Sequence, residues 1–309
     1  MIFKHASALA LGMLADRIIP DPRTNHPVAL FGNYASWLER KLYRDSKAAG
    51  AAYVAACVIP PTIATAFLAK TAPNISLVLA LWASLGGTTL QHTAARMAED
   101  LDAGNLDAAR TWVPWLCSRD PKSLDAAGMA RATVESVAEN TSDAIVAPIV
   151  WSLLGAPGVI AHRCVNTLDA MVGYRNERYS EFGWTAAKLD DLMAWAPAQL
   201  TSLIHTGFAA TAGRGEEALH SWIHDAPNHP SPNAGPVEAT AAAALGVQLG
   251  GETTYEYGVE QRPVLGQGPA PSTATIRKAV RLSMMVQGVA GGVVAAAGVG
   301  KALARRMRR

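Results

Sequence analysis

The sequence contains few charged and few aromatic residues. Charged residues make up 17% of the 309 residues and aromatic residues 6%, whereas soluble domains contain about 25% charged residues. The net charge is only +2, so no strong positive field argues for nucleic acid as a partner. Half of the residues are hydrophobic. This composition argues against an ordinary soluble enzyme and favours a protein of the lipid bilayer.

Cysteine and the common signature motifs are also scarce. Cys57, Cys117 and Cys164 are isolated and odd in number, which excludes a disulfide framework and favours a reducing compartment. The sequence has no GxxxxGK[ST] phosphate loop, no GxGxxG after a strand and no GxSxG. His220 and His224 have a spacing that can bind zinc, but without an HExxH signature zinc is the weaker interpretation.

What the sequence does contain is long apolar stretches, and a spanning helix needs about 20 mostly apolar residues. The first stretch is either a signal peptide or a retained helix, and the lack of a convincing cleavage site favours the helix. The candidate stretches are residues 3–19, Ala49–Ala69, Ile75–Leu90, Ala144–Ala161, Leu192–Ala212 and Met284–Gly300.

Because alanine dominates and strand signals are weak, we predict an all-α fold with a single domain over 1–309. It is a polytopic integral membrane protein with about four to six membrane helices, some broken or re-entrant, and long polar loops that form the site. The GAPG sequence at 155–158 makes the stretch 144–161 the first re-entrant candidate. The segment 225–272 is rich in Pro and Gly, which predicts ordered irregular structure rather than helix.

The last apolar stretch carries a stripe of small residues spaced four apart, from Gly288 to Gly300. Such a stripe favours close packing of membrane helices, and a flexible apolar tail is the alternative. The loop 20–48 and the C-terminal residues 301–309 are rich in Lys and Arg. The positive-inside rule places both in the cytoplasm.

Segment 128–143 combines acids and a base immediately before an apolar stretch. As a helix it places Arg131, Glu135, Glu139, Ser142 and Asp143 within roughly 120° of one another, at about 100° per residue. Carboxylates on such a face can hold Mg²⁺ while the arginine binds a phosphate. The alternative is a solvated helix face with i,i+4 ion pairs.

The sequence GYRNERY at 173–179 alternates arginine with aromatic residues. Arg175 and Arg178 around Asn176 suit a phosphate with a planar ligand, and an interfacial Arg/Tyr belt is the alternative. Upstream, Asn166 and Asp169 lie one helical turn apart. Downstream, the paired aspartates at 190–191 indicate a metal ligand, a proton acceptor or a helix cap.

The sequence HPSPNAG at 229–235 is a third polar element. Its prolines fix the backbone, and Asn-Ala-Gly can present main-chain amides to an anion, although an ordinary rigid turn is the alternative. His26 before Pro27 is equally compatible with a site residue and a turn. The residues alone therefore indicate a membrane-embedded polar site for phosphate and Mg²⁺.

At these residues the chain resembles the CobD/CbiB family, the adenosylcobinamide-phosphate synthases of cobalamin biosynthesis. The matching stretches cover most of the chain and occur in the same order as in the family. No single motif is decisive, but the set of motifs together is highly specific. The matching stretches are HPVALFGNYASWLERKLY (26–43), RATVESVAENTSDAIVAP (131–148), VNTLDAMVGYRNERYSEFGWTAAKLDDL (165–192), HPSPNAG with Glu238, and ALGVQLGG to RPVLG (244–266).

The resemblance implies an integral membrane ligase that forms an amide at the expense of ATP. Its substrates would be a propionate side chain of adenosylcobyric acid and (R)-1-amino-2-propanol or its phosphate. Mg²⁺ would accompany ATP. The implied location is the cytoplasmic membrane, with several passes, an active site facing the cytoplasm and other membrane enzymes of cobalamin assembly as partners. A non-catalytic sensor or accessory protein and a corrinoid transporter are the alternatives.

From residue type at the matched positions we expect the following roles. The catalytic candidates are Glu135, Glu139, Asp169 and Asp191. The Mg²⁺ ligands would be Glu135, Glu139 and Asp143. The candidates for substrate and phosphate binding are His26, Arg131, Asn140, Asn166, Arg175, Asn176, Arg178, His229, Ser231 and Asn233.

Overall fold

The structure, a computed structural model, describes residues 4–19, 21–22, 25–255 and 258–307. The helices are α1 (Lys4–Ile18), α2 (Pro27–Leu42), α3 (Lys47–Thr71), α4 (Pro73–Ser84), α5 (Gly87–Asp102), α6 (Leu106–Leu116), α7 (Ala126–Thr141), α8 (Ala147–Trp151), α9 (Ala156–Val172), α10 (Trp184–Thr211), α11 (Gly215–His220), α12 (Ala234–Leu245) and α13 (Thr273–Met307). Strands β1 (Leu249–Tyr255) and β2 (Gly258–Leu265) form an antiparallel hairpin.

The fold is mostly helical, as predicted, with the hairpin as an addition that the sequence analysis did not foresee. Among the described residues, two helices are long and apolar enough to cross a membrane, Lys47–Thr71 and Thr273–Ala304. The span count of four to six stays a prediction. The predicted span Ile75–Leu90 is wrong as one helix, because α4 ends at Ser84 and α5 begins at Gly87.

The chain divides into two compact units. Unit 1 comprises residues 1–86, 147–194 and 291–309, and unit 2 comprises 87–146 and 195–290. The single domain over 1–309 stays a prediction.

The core of unit 1 forms between α3, α9 and the segment that precedes α10. Tyr53 and Phe182 are fully buried, with ring centroids 5.0 Å apart, and Leu168 packs in the same cluster. A Cβ on Gly50 would lie 1.9 Å from the carbonyl oxygen of Phe182. Only glycine therefore allows α3 to approach this backbone so closely.

Helix α3 tolerates two prolines in its interior. Pro60 has no N–H to donate to the carbonyl of Ala56, four residues earlier. The hydroxyl of Tyr34 on α2 donates to that carbonyl instead, at 3.1 Å. Side chains such as Ile63 and Phe67 stay exposed further along the helix. An apolar helix in which a neighbour satisfies the carbonyl freed by a proline is compatible with a bilayer.

The predicted break in the stretch 144–161 is confirmed. A π-helical turn at Ser142–Val146 is followed by α8 and a 3₁₀ turn at Ser152–Leu154. Gly155 then adopts a left-handed conformation with φ of 77°, which favours glycine, and α9 starts at Ala156. Whether this segment is re-entrant stays a prediction.

In unit 2, α7 and α12 are buried over most of their length. Val237 and Ala241 of α12 pack with Ala138 of α7 and Ala198 of α10, and these small side chains allow close approach. The prediction of irregular structure over 225–272 is wrong, because this segment contains α12 and the hairpin. Its prolines and glycines lie largely in turns, caps and a β-bulge. The high Pro and Gly content of this segment therefore indicates the turns between its helix and strands.

The small-residue stripe of α13 does not make the predicted close contact. A Cβ added at Gly288, Gly292 or Gly300 would meet no atom within 4 Å among the described residues. The helix buries other positions, such as Val286 and Ala290.

Candidate active site

Helix α7 places an ion pair in the interior of unit 2. The guanidinium of Arg119, in the loop before α7, donates to the carboxylate of Glu135, and both side chains are about 95% buried. The other carboxylate oxygen of Glu135 accepts a hydrogen bond from the backbone N–H of Gly250 at 2.8 Å. A buried carboxylate requires such partners, because an isolated charge in the interior is very unfavourable.

A polar cavity of about 230 Å³ lies beside this ion pair. We call it the acidic pocket, and its charged side chains are Glu135 and Glu139 from α7, Glu238 from α12, Arg119 and Arg262. Glu139 is exposed, whereas Glu238 is only 2% exposed. Glu139 therefore lies on the open side of the pocket and Glu238 lies on its buried side.

Glu139 and Glu238, for which no ion pair with an arginine is found among the described residues, resist ionisation. Loss of solvent and the negative charges of Glu135 and Glu139 raise the pKa of Glu238 well above its ordinary range, against the opposing effect of Arg262 and Arg119. The pKa of Glu139 is raised by the same causes, with the charge of Glu135 acting on it. Since Glu139 is open to solvent, its shift is the more easily screened of the two.

His229 lies beside Glu238, with Nε2 3.9 Å from Oε1 of the carboxyl group. Its Nε2 accepts a hydrogen bond from Arg262 at 3.0 Å, and its Nδ1 lies 3.2 Å from the carbonyl oxygen of Ser231. Because Arg262 can only donate, Nε2 must accept and the proton of the neutral ring lies on Nδ1, which donates to Ser231 and then cannot accept from the backbone N–H of Ser231, 3.1 Å away. Burial and the charge of Arg262 lower the pKa of His229 to about 4, so the imidazole is neutral at physiological pH.

A β-bulge fastens the hairpin to α7. Gly250 lies between the paired residues Leu249 and Gly251 but has no partner in the register, and its φ is 78°. Because its backbone groups are free of the ladder, its N–H binds Glu135 and its carbonyl accepts from Nη1 of Arg131 at 2.9 Å. Nη2 of Arg131 donates to the carbonyl of Glu252 at 2.5 Å.

This arrangement changes the interpretation of α7. Arg131 binds hairpin carbonyls and does not line the acidic pocket, and neither does Asp143. Asp143 follows the end of the α-helix in a wider π-turn, so the single face expected for 131–143 is interrupted. Asn140 donates to the carbonyl of Ser136, one turn earlier on α7.

The turn HPSPNAG is built around Ser231. Its hydroxyl accepts from the backbone N–H groups of Asn233 at 3.3 Å and Ala234 at 3.1 Å. Ser231 thereby caps the start of α12, whose first residues would otherwise carry free donors. The expected anion cradle is filled by this hydroxyl. Asn233 is buried at the same helix end.

The remaining predicted site residues lie in unit 1. Arg178 donates to Glu39 at 2.9 Å and stacks on Tyr43, with its guanidinium carbon 4.3 Å from the ring centroid. Tyr179 also donates to Glu39, at 2.9 Å. We call Glu39, Tyr43, Arg178 and Tyr179 the loop cluster; it holds the segment after α9 against α2. Within that segment Arg175 is exposed.

The other unit 1 candidates make mostly local contacts. Asn176 accepts from the N–H of Tyr179 at 2.9 Å, and His26 caps α2 through Nδ1 and the N–H of Val28. Asn166 donates to Asp190 at 3.4 Å. Asp191 pairs with Lys188 at 2.9 Å.

Asp169 is half-buried on α9, and its Oδ1 would be 1.9 Å from a Cβ added at Gly173. This close approach makes Gly173 the residue that leaves room for the aspartate. The roles predicted for all these residues stay predictions.

Several residues that build the two clusters had no predicted role, namely Arg119, Glu238, Arg262 and Glu39. Three of them lie in stretches that carried the family resemblance, which was the available signal. Arg119 lies outside those stretches, and its pairing across 16 residues follows only from the fold.

The donor set of the site can be compared with the needs of a metal ion. Among the described residues, no group of three or more His, Cys, Asp or Glu side chains is placed to hold a metal ion together. Mg²⁺ commonly takes one or two carboxylates and completes its shell with water and substrate phosphates, so Glu139 on the open side fits that use. The predicted three-carboxylate Mg²⁺ site stays a prediction.

These observations define the class: a mostly helical protein with helices suited to a membrane and a buried acidic pocket. Residues 9–283 match the family described as CobD/Cbib protein. The chain belongs to the CobD/CbiB family.

Relatives in several bacteria support this membership. The chain is 43% identical over 289 residues to "Cobalamin biosynthesis protein CobD" of Mycobacterium tuberculosis, which covers 92% of each chain. It is 42% identical over 287 residues to the protein of that name from Chromobacterium violaceum, covering 89% of this chain and 90% of that one. For Stutzerimonas stutzeri the identity is 40% over 278 residues, covering 87% and 90%. No solved structure matches the chain.

Proposed function

We propose that this protein is an ATP-dependent carbon–nitrogen ligase of cobalamin biosynthesis. It amidates a propionate side chain of adenosylcobyric acid with (R)-1-amino-2-propanol or its phosphate, giving adenosylcobinamide or its phosphate. Family membership and the names of the relatives support the pathway. The acidic pocket, formed largely from stretches that carry the family resemblance, is the single observation that supports chemistry at this site.

The reaction explains why such a pocket is needed. A carboxylate is a poor electrophile, because oxide would have to leave. ATP supplies the remedy by converting the carboxylate to an acyl phosphate, from which phosphate leaves readily. The chain must then hold an amine and a phosphate close together and exclude water. Glu139, with any Mg²⁺ it holds, would face the phosphates, and Arg262 adds a positive charge beside them.

The loop cluster supports a second binding role. Its exposed Arg178 and the neighbouring tyrosines, together with the exposed Arg175 of the same segment, would contact a phosphate or a flat macrocycle at the surface of unit 1. The proposed setting is the cytoplasmic membrane, with α3 and α13 among the spanning helices and the basic segments on the cytoplasmic side.

The test is amide formation in membrane vesicles that contain the full chain. ATP-dependent consumption of adenosylcobyric acid, with and without the phosphorylated aminoalcohol, would support the ligase. Movement of corrinoid without product would favour a transporter. The absence of both product and corrinoid movement would favour an accessory protein. We expect Glu139→Ala to lower turnover at least 100-fold while leaving the protein in the membrane. The matched control is Glu216→Ala, an exposed carboxylate on α11. Near-normal turnover of the Glu139 variant would remove this residue from the site.

A further inference from the structure

The buried side of the acidic pocket holds a carboxyl group without a hydrogen-bond partner. Glu238 is 2% exposed, lines the cavity and accepts no hydrogen bond from the residues that the structure describes. Nε2 of His229 lies 3.9 Å from Oε1 of Glu238, which is too far for a hydrogen bond. That nitrogen already accepts from Arg262. A buried polar group of this kind calls for an explanation, and a missing ligand is one.

The charges around Glu238 favour a cationic ligand. The pocket is lined by three carboxylates and two guanidiniums. Once Glu238 and the other two carboxyl groups are ionised, with His229 neutral, one negative charge would be left without compensation. Arg119 is committed to Glu135. A single positive group beside Glu238 would therefore balance the pocket.

The size of the cavity restricts what that group can belong to. A volume of about 230 Å³ is below the roughly 300–1,000 Å³ of pockets that enclose drug-sized ligands. It admits a short chain of a few carbon atoms and excludes a corrin ring. Its lining is charged, so a small polar cation fits better than an apolar molecule.

We infer that the acidic pocket binds the primary ammonium group of the aminoalcohol, and that Glu238 accepts the proton that this group must lose. This inference rests on the proposed function and names the residue that handles its second substrate. One N–H bond of the ammonium breaks, its electron pair stays on nitrogen, and the proton moves to a carboxylate oxygen of Glu238.

The remaining bonds and protons of the reaction are also accounted for. The nitrogen lone pair forms the new C–N bond with the carbonyl carbon of the acyl phosphate. The C–O bond to phosphate breaks with its electrons on oxygen, and the second proton leaves nitrogen for phosphate or solvent. Glu238 returns its proton to water when the product departs.

The surroundings of Glu238 give it the proton affinity that this role needs. Burial raises the pKa of Glu238 most, the charges of Glu135 and Glu139 on α7 raise it further, and Arg262 from β2 and Arg119 lower it. In the empty pocket the carboxyl group therefore tends to keep a proton. An incoming ammonium favours the charged carboxylate, so its binding should expel a proton.

The experiment is calorimetric binding of free 1-amino-2-propanol to the full chain in detergent at pH 7. Two buffers of different ionisation enthalpy report the protons released. We expect release from the wild type, and 1,2-propanediol, which lacks the amine, should show neither binding nor release. Glu238→Gln should weaken amine binding at least tenfold and abolish the release. Glu216→Gln on α11 is the matched control and should change neither.

Further variants and readouts keep the inference open to refutation. Glu238→Asp, which keeps the carboxylate, should retain part of the proton release. Glu139→Gln alters an exposed side chain, which makes it safe for folding, and should weaken amine binding several-fold. Unchanged amine affinity and proton release in both glutamine variants would overturn the inference, even if the wild type forms amide. If the wild type binds the amine through Glu238 but forms no amide, the proposed ligase activity is refuted and the inference about amine binding stands.

Discussion

The buried ion pair between Arg119 and Glu135 gives a direct test of the architecture of unit 2. In Arg119→Met the carboxylate of Glu135 keeps, among the residues that the structure describes, only the hydrogen bond from Gly250, at 2.8 Å. Removing one partner of a buried pair typically costs about 3–5 kcal/mol. In domains of roughly 150–250 residues, each kcal/mol lowers the melting temperature by about 2–4 °C. We therefore expect a decrease on the order of 10 °C in scanning fluorimetry of the detergent-solubilised protein.

A double variant and a surface control separate this effect from general damage. Glu135→Gln in the Arg119→Met background removes the unpaired charge but keeps an acceptor for Gly250, so the loss should fall to about 1–3 kcal/mol. Arg96→Met breaks an exposed pair with Glu99 at 2.9 Å and should cost less than about 1 kcal/mol. Equal melting temperatures for the Arg119 and Arg96 variants would refute the burial argument.

Two further predictions concern the same unit. Gly250→Ala should lower the melting temperature and turnover together, because the new Cβ would lie 1.9 Å from the carbonyl oxygen of Pro263 and the left-handed backbone alone costs about 1–3 kcal/mol. Gly104→Ala, at a φ of 71° in open space, should show only the smaller backbone effect, and an equal loss at both positions would contradict the steric argument. Glu238→Gln should be as stable as the wild type near pH 4.5 and more stable at pH 7–8, as measured by chemical denaturation. Because the pKa of Glu238 is raised in the folded protein, this group ionises only in the unfolded state as the pH rises above the ordinary glutamate pKa. The wild type therefore loses stability above that pH and the variant does not. Parallel curves of stability against pH for the two proteins would refute this prediction.

The sequence predicted helices where hydrophobic runs or helix-forming residues were continuous. The helical class, the helix around 128–143 and the break at 155–158 are confirmed. The prediction of irregular structure over 225–272 was wrong. The prolines and glycines of the connecting segments dominate the composition there and hide α12 and the hairpin. The span Ile75–Leu90 was wrong because hydropathy continues across the interruption at 85–86.

The candidate site was predictable only where one helix carried it. Glu135 and Glu139 share a face because they are four residues apart, and spacing shows this directly. Glu238 and Arg262 reach the same pocket from α12 and β2, more than 90 residues further along, so only folding brings them there. Sequence spacing likewise placed Arg131 on the same helix as Glu135. It gave no indication that the guanidinium of Arg131 would donate hydrogen bonds to carbonyl groups of the hairpin.

The attachment of the hairpin at Gly250 has a consequence for how freely this region can mutate. Arg131 and Glu135 hold the hairpin through main-chain atoms of Gly250 and Glu252, so these contacts do not depend on the identity of the side chain at position 252. In a saturation mutagenesis screen, position 252 should therefore accept many residues, whereas positions 131, 135 and 250 should accept few. Genetic constraint would then be concentrated in two helix residues and one glycine, while position 252, which is held through its carbonyl, remains free to vary.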